Sequence, residues 1–114
     1  MKTWNATRGT TLAEHGRAAA TWWTRGRGLL GTRTLPAGEG LLITPCNSIH
    51  SFFMQYRFDA IFIDKQGKVV HLIHAMKPSR ISRIVFAAHS VLELPAGTIE
   101  ATGTQLGDEI RWDG

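Results

Sequence analysis

The stretch from Ser48 to His74, SIHSFFMQYRFDAIFIDKQGKVVHLIH, constrains the fold more than any other part of the chain. Phe, Ile and Val crowd it, and these residues suit a pleated, half-buried backbone. Lys65-Gln66-Gly67 is a turn signal ending in Gly, which takes positive φ at no steric cost. Gln55 to Arg57 is a second turn. Together they cut the stretch into three strands, 48–54, 59–64 and 68–74, expected to pair as an antiparallel meander at the centre of the sheet.

Side chains alternate along a strand. The assumed pairing puts His50, Phe52, Met54, Asp59, Ile61, Ile63, Val69, His71 and Ile73 on one face. Ile49, Phe53, Ala60, Phe62, Val70, Leu72 and His74 take the other. An open antiparallel sheet with one wet side alternates apolar with polar, whereas here both faces are largely apolar. Something must therefore cover each face. The expected core is Phe52, Ile61, Phe62, Ile63, Val70 and Leu92.

At 114 residues the chain reads as one domain, long enough to bury around two thirds of the surface its unfolded form exposes. Cys46 is the only cysteine, so no disulfide or multi-cysteine zinc site forms within one chain, and a reducing compartment is expected. No run approaches the roughly 18 apolar residues of a membrane span, and MKTWNATRGTT lacks the apolar core of a signal peptide. The expectation is a cytoplasmic protein. Thirteen Lys and Arg against nine Asp and Glu give a formal charge of +4. That permits attraction to anions, but the cations are scattered apart from Arg25, Arg27 and Arg33 and from Lys77, Arg80 and Arg83, and no nucleic-acid motif accompanies them. Nucleic acid is not the expected partner.

In chain order, residues 2–6 and 10–14 flank Arg8-Gly9 and predict two short strands, with Trp4 and Leu12 facing inward. From Arg17 the spacing changes, and Ala18, Trp22, Arg25 and Leu29 fall on one stripe of a helix over roughly 18–30, ended by Gly31. Trp22 and Trp23 plug one end of the core, or stack on a ligand. Residues 40–44 predict a strand broken by Pro45. Residues 76–82 predict an exposed crossover loop with basic residues nearby. Residues 90–94 predict another strand, 98–102 a helical turn stopped by Gly103, and 109–112 the last strand.

Six ordered blocks carry a resemblance to a known family: GLL at 28–30, LPAGEGLLI at 35–43, SIHSFFM at 48–54, DAIFIDKQGKVV at 59–70, VLELPAG at 91–97 and GD at 107–108. Together they resemble family 192 of the domains of unknown function, from about Arg25 to Trp112. The resemblance implies a compact β-rich, barrel-like domain with a helix packed on it, and no established activity. Arg57 stands where the family often carries Pro, and Thr32 where it often carries Arg.

His50, Asp59 and His71 share a face in the assumed register. A carboxylate beside imidazoles serves general acid/base pairs and two-histidine, one-carboxylate metal sites. The competing reading is a buried Asp bonded to backbone amides and histidines satisfied within a sheet. His71 and His74 point to opposite faces if the segment is a strand, and Cys46 with His50 lacks an orienting group. The fold class is therefore mainly β (α+β), a barrel-like antiparallel sheet with one packed N-terminal helix. The protein is expected to be a small-ligand-binding or accessory module for an unknown small molecule or protein partner, with His50, Asp59, His71 and Met54 as candidate ligand residues. No catalytic residue, metal or cofactor is assigned. The alternatives are a metal-binding protein or enzyme on that His/Asp face, and RNA binding through Arg25, Arg27 and Arg33 with Trp22 and Trp23.

Overall fold

The computed structural model describes residues 1–19, 35–52 and 55–113. Gly9, at φ +68°, turns β1 (Thr3–Asn5) back onto β2 (Thr10–Ala13). After a bend at Glu14, β3 (His15–Ala19) pairs parallel with β4 (Glu39–Ile43). β5 (Phe58–Ile63) and β6 (Val69–Met76) form an antiparallel hairpin. Its turn requires Gly67 twice over: φ is +84°, and a Cβ there would stand 3.1 Å from the Ile110 carbonyl oxygen. β7 (Ser90–Pro95) pairs antiparallel with both β4 and β5. A short helix, α1 (Thr98–Thr102), closes at left-handed Gly103, and β8 (Ile110–Trp112) returns to pair with β1.

The described strands form a three-stranded sheet, β2-β1-β8, and a five-stranded sheet, β3-β4-β7-β5-β6. The protein is mainly β, as its residue pattern predicts. The barrel does not close. β3 and β6 remain edges of the larger sheet, and the strands that could have extended it form a second sheet instead. Nor is the larger sheet purely antiparallel, because β3 and β4 run the same way. The helix expected over 18–30 lies outside the described residues, except that Ala18 and Ala19 end β3.

The central meander also needs correction. Among the described residues of 48–52 there is no strand, only an isolated bridge from His50 to Ile81, and β7 occupies the place beside β5. The serines explain the difference, because they bond to backbone and so compete with a ladder. Ser51 Oγ donates to the Lys77 carbonyl (2.6 Å) and accepts the Arg80 N–H (2.9 Å), while Ser82 Oγ accepts the Ile49 N–H (2.9 Å).

All six residues of β5 are buried, and each face meets its own core. Phe58, Ala60 and Phe62 pack with Leu41, Ile43, Val91, Met76, Tyr56, Ile49 and Val85. Ile61 and Ile63 pack with Leu42, Leu92, Leu94 and Val69, and this second core reaches Leu12, Ile110 and Ile99 of the smaller sheet and α1. Both faces of β5 are thus covered. Each large side chain so buried stabilises the fold by about 1.5–3 kcal/mol. Ile61, Phe62, Ile63 and Leu92 are fully buried as expected, but Phe52 is 41% exposed and Val70 only half-buried. Trp4 likewise faces outward, opposite exposed Thr11, while Thr3 and Asn5 point in.

Candidate functional site

Asp59 is fully buried, and its carboxylate is consumed by backbone. Oδ1 accepts the Ala75 N–H at 2.8 Å, and Oδ2 accepts those of Gly97 at 3.1 Å and Ile99 at 2.8 Å. Ala75 sits at φ +48° where β6 shifts register against β5, so Asp59 fastens a β-bulge on one side and the start of α1 on the other. A group holding three amides in a sealed site is a brace.

His71 lies opposite Phe62 in the ladder, its ring edge-on to the phenyl with centroids 5.3 Å apart. Burial pushes the His71 imidazole below its ordinary value, and the charge of Arg83 pushes it further. His50 sits at the bridge to Ile81, 5.1 Å from the Phe52 ring. His71 therefore stands on the Phe62 face while Asp59 belongs to the Ile61 and Ile63 face, and the structure does not bring His50, Asp59 and His71 together. Met54 lies outside the described residues. So do Trp22, Trp23, Arg25, Arg27 and Arg33. Cys46 donates Sγ–H to the Ser48 carbonyl at 3.1 Å. Among the described residues no three His, Cys, Asp or Glu side chains gather as a metal-holding group.

A different place does gather chemistry. At the seam between the two sheets a cleft of about 460 Å³ is lined by Trp4, Trp112, Asp64, Lys65, Gln66, His89, Ser90 and Arg111. The β5–β6 turn forms one wall, because Gly67 O accepts the Ile110 N–H (2.8 Å) and Lys68 bridges to Glu109. Asp64 Oδ1 stiffens that turn by accepting the N–H groups of Gln66 and Lys68, both at 2.9 Å. His89 is fixed by its N–H to the Ile63 carbonyl (2.8 Å), and its Nδ1 lies 3.4 Å from Ser90 Oγ, which in turn meets Thr44 Oγ1 at 2.8 Å. Of the two lining cations, Arg111 pairs with Glu109, and Lys65 lies beside the Asp64 carboxylate in the sequence.

The cleft thus combines indole surfaces with hydrogen-bonding groups held by a rigid turn, the composition of a small-molecule site. The cleft is not visible in the sequence because two of its walls, β1 and β8, come together across almost the whole chain. The one available signal was Trp4 and Trp112, each beside polar neighbours in a short terminal strand.

Comparison with known proteins agrees with this fold. The family profile described as "Uncharacterized ACR" matches residues 4–112. A UPF0127 protein of Thermococcus sibiricus is 34% identical over 113 residues, 96% of this chain and 73% of the relative. The crystal structure of a protein of unknown function from Novosphingobium aromaticivorans superposes with a TM-score of 0.80 at 21% identity, covering 97% of this chain and 83% of that one. Another crystal structure, from Sinorhizobium meliloti, gives 0.75 at 23% identity over 96% and 89%. At such identities the two structures establish the fold alone.

Proposed function

Because this chain belongs to the DUF192 family, whose description carries no activity to transfer, we propose from its own surface that it is a small-ligand-binding module of the cytosol. It takes a neutral, polyhydroxylated ligand of saccharide type in the cleft between the sheets. The observation that supports this reading is a single concavity lined by Trp4 and Trp112 together with Asp64, Lys65, Gln66, His89, Ser90 and Arg111. An indole offers a large rigid apolar face at low conformational cost, which suits the C–H face of a sugar ring. Asp64 accepts hydrogen bonds, Gln66 and Ser90 both donate and accept, and His89 does either according to its tautomer. Charge favours a neutral ligand over an anion, since Glu109 engages Arg111 and the other lining cation, Lys65, shares the cleft with the Asp64 carboxylate.

The test is an amide-resolved NMR titration with a panel of mono- and disaccharides at millimolar concentration. Shifts are expected at residues 64–67, 89–90 and 110–112 and at the Trp4 indole N–H, and Trp4→Ala should abolish them. Shifts confined to other parts of the protein, or none across the panel, would overturn the reading.

A further inference from the structure

The loop between β6 and β7 exposes side chains that a folded surface normally hides. Phe86 is 87% exposed, Ile81 68% and Ile84 52%, with Phe52 at 41% beside them. This is no loose connection. The loop is stitched along residues 47–51 by the Ser51 N–H to the Arg80 carbonyl, the Ser82 N–H to the Ile49 carbonyl and the Val85 N–H to the Asn47 carbonyl, each 2.8 Å. Val85 is sunk in the Phe62 core, so Ile84 and Phe86 on either side of it are held outward by the same anchor.

Lys77, Arg80 and Arg83, all exposed, run through the same loop. From residue 65 to residue 92 the chain carries five Lys or Arg and no Asp or Glu, so nothing along that stretch offsets the charge. Several exposed apolar side chains on one loop among uncompensated cations mark an interaction surface. We propose that this loop docks the protein onto an anionic phospholipid bilayer, with Phe86, Ile84 and Ile81 entering the headgroup boundary and Lys77, Arg80 and Arg83 on the lipid phosphates.

Three observations select this occupant. Side chains as exposed as Phe86 stand out from the surface, as insertion into a soft interface requires, and do not line a groove that would receive a partner's residue. A second copy of the chain would set two sets of three cations against each other. A nucleic acid would use the cations but has no use for two aliphatic isoleucines, whereas lipid uses both. Among the described residues no helix is long and apolar enough to cross a membrane, and a loop of this kind lies on the bilayer without crossing it.

The experiment is co-sedimentation of the full chain with vesicles of phosphatidylcholine alone and of phosphatidylcholine with phosphatidylserine. Binding is expected only to the second and should fall as salt rises. Arg80→Gln with Arg83→Gln should weaken it roughly twenty-five-fold, at about five-fold for each basic residue at an anionic surface. Ile84→Ser with Phe86→Ser, which leaves the charge intact, should weaken it at least about ten-fold by removing two buried apolar groups. Circular dichroism checks that the variants fold. Should the serine variant fail to fold, Phe86→Trp supplies a second readout, with added quenching by brominated lipid expected over the parent protein. Equal sedimentation with both vesicle types, binding insensitive to the serine substitutions, or binding to RNA but not to vesicles would each overturn the proposal.

Discussion

Replacing Asp59 with Asn changes almost no volume and isolates what the carboxylate does. The carboxylate accepts two N–H groups at Oδ2 and one at Oδ1, whereas an Asn side chain offers one accepting oxygen and one donating amide. With the oxygen kept toward Gly97 and Ile99, the NH₂ must face the Ala75 N–H, donor against donor. Leaving that buried N–H unsatisfied costs about 1–3 kcal/mol, and the two surviving bonds fall from the charge-assisted range of about 1.5–3 to the neutral range of about 0.5–1.5 kcal/mol. Neighbouring terms do not add fully, so the expected loss is about 3 kcal/mol. For a domain of this length that lowers Tm by roughly 10–15 °C, read by calorimetry and urea titration. Asp59→Ala should cost more, since all three amides lose their acceptor. A loss below about 1 kcal/mol for Asp59→Asn would refute the brace, and lost saccharide shifts at unchanged stability would make Asp59 a ligand group.

Phe62→Ala should cost about 3–5 kcal/mol, because the ring is fully buried between β5's neighbours and touches His71; a urea midpoint that barely moves would refute the two-sided core. Asp108 predicts an acid limb. Burial pushes its carboxyl up, but hydrogen bonds from Arg8, Asn5 and the Gln105 N–H, with the charge of Arg8, outweigh this and hold it below the usual range. A depressed folded value means full stabilisation above the unfolded carboxyl pKa of about 4, lost as pH falls through the folded value. Stability measured in urea from neutral pH downward should therefore fall less steeply in Asp108→Asn than in the parent, and identical slopes would refute the linkage.

Local signals in the sequence are legible where one residue type answers one geometric demand. Gly67 needed positive φ and marked the hairpin, Gly103 closed α1, and the unbroken apolar run of β5 announced burial on both faces. Long-range pairing was not legible in the same way. Nothing in residues 15–19 says that they run parallel to 39–43, or that β1 will meet β8, because these depend on how two sheets share one core. The cleft inherits that difficulty, since β1 and β8, which carry Trp4 and Trp112, meet only through that pairing. Ser48 to Phe52 misled for a local reason: the hydroxyl of Ser51 bonds to backbone across the loop and takes the place of a regular ladder.

The sequence-drawn His/Asp face failed for a physical reason that β6 makes explicit. Partner numbers along the hairpin step from Phe58↔Met76 to Ala60↔Ile73, and from Phe62↔His71 to Ile63↔Val69, so β6 carries one extra residue at each of two places. Strict alternation would put Val69, His71 and Ile73 on one face. With two bulges, Val69 and Leu72 serve the core shared with the smaller sheet, while Val70 and Ile73 serve the other. Each extra residue disturbs the ladder and bends the strand, and a polar side chain stands at each disturbance. Asp59 accepts the amide of Ala75 at one, and His71 covers Phe62 at the other. The residues that looked like a reactive pair are therefore the means by which a strand of eight keeps both of its faces in register with a strand of six. The cleft instead lies at the seam between the sheets, where the turn after β5 and the return of β8 meet.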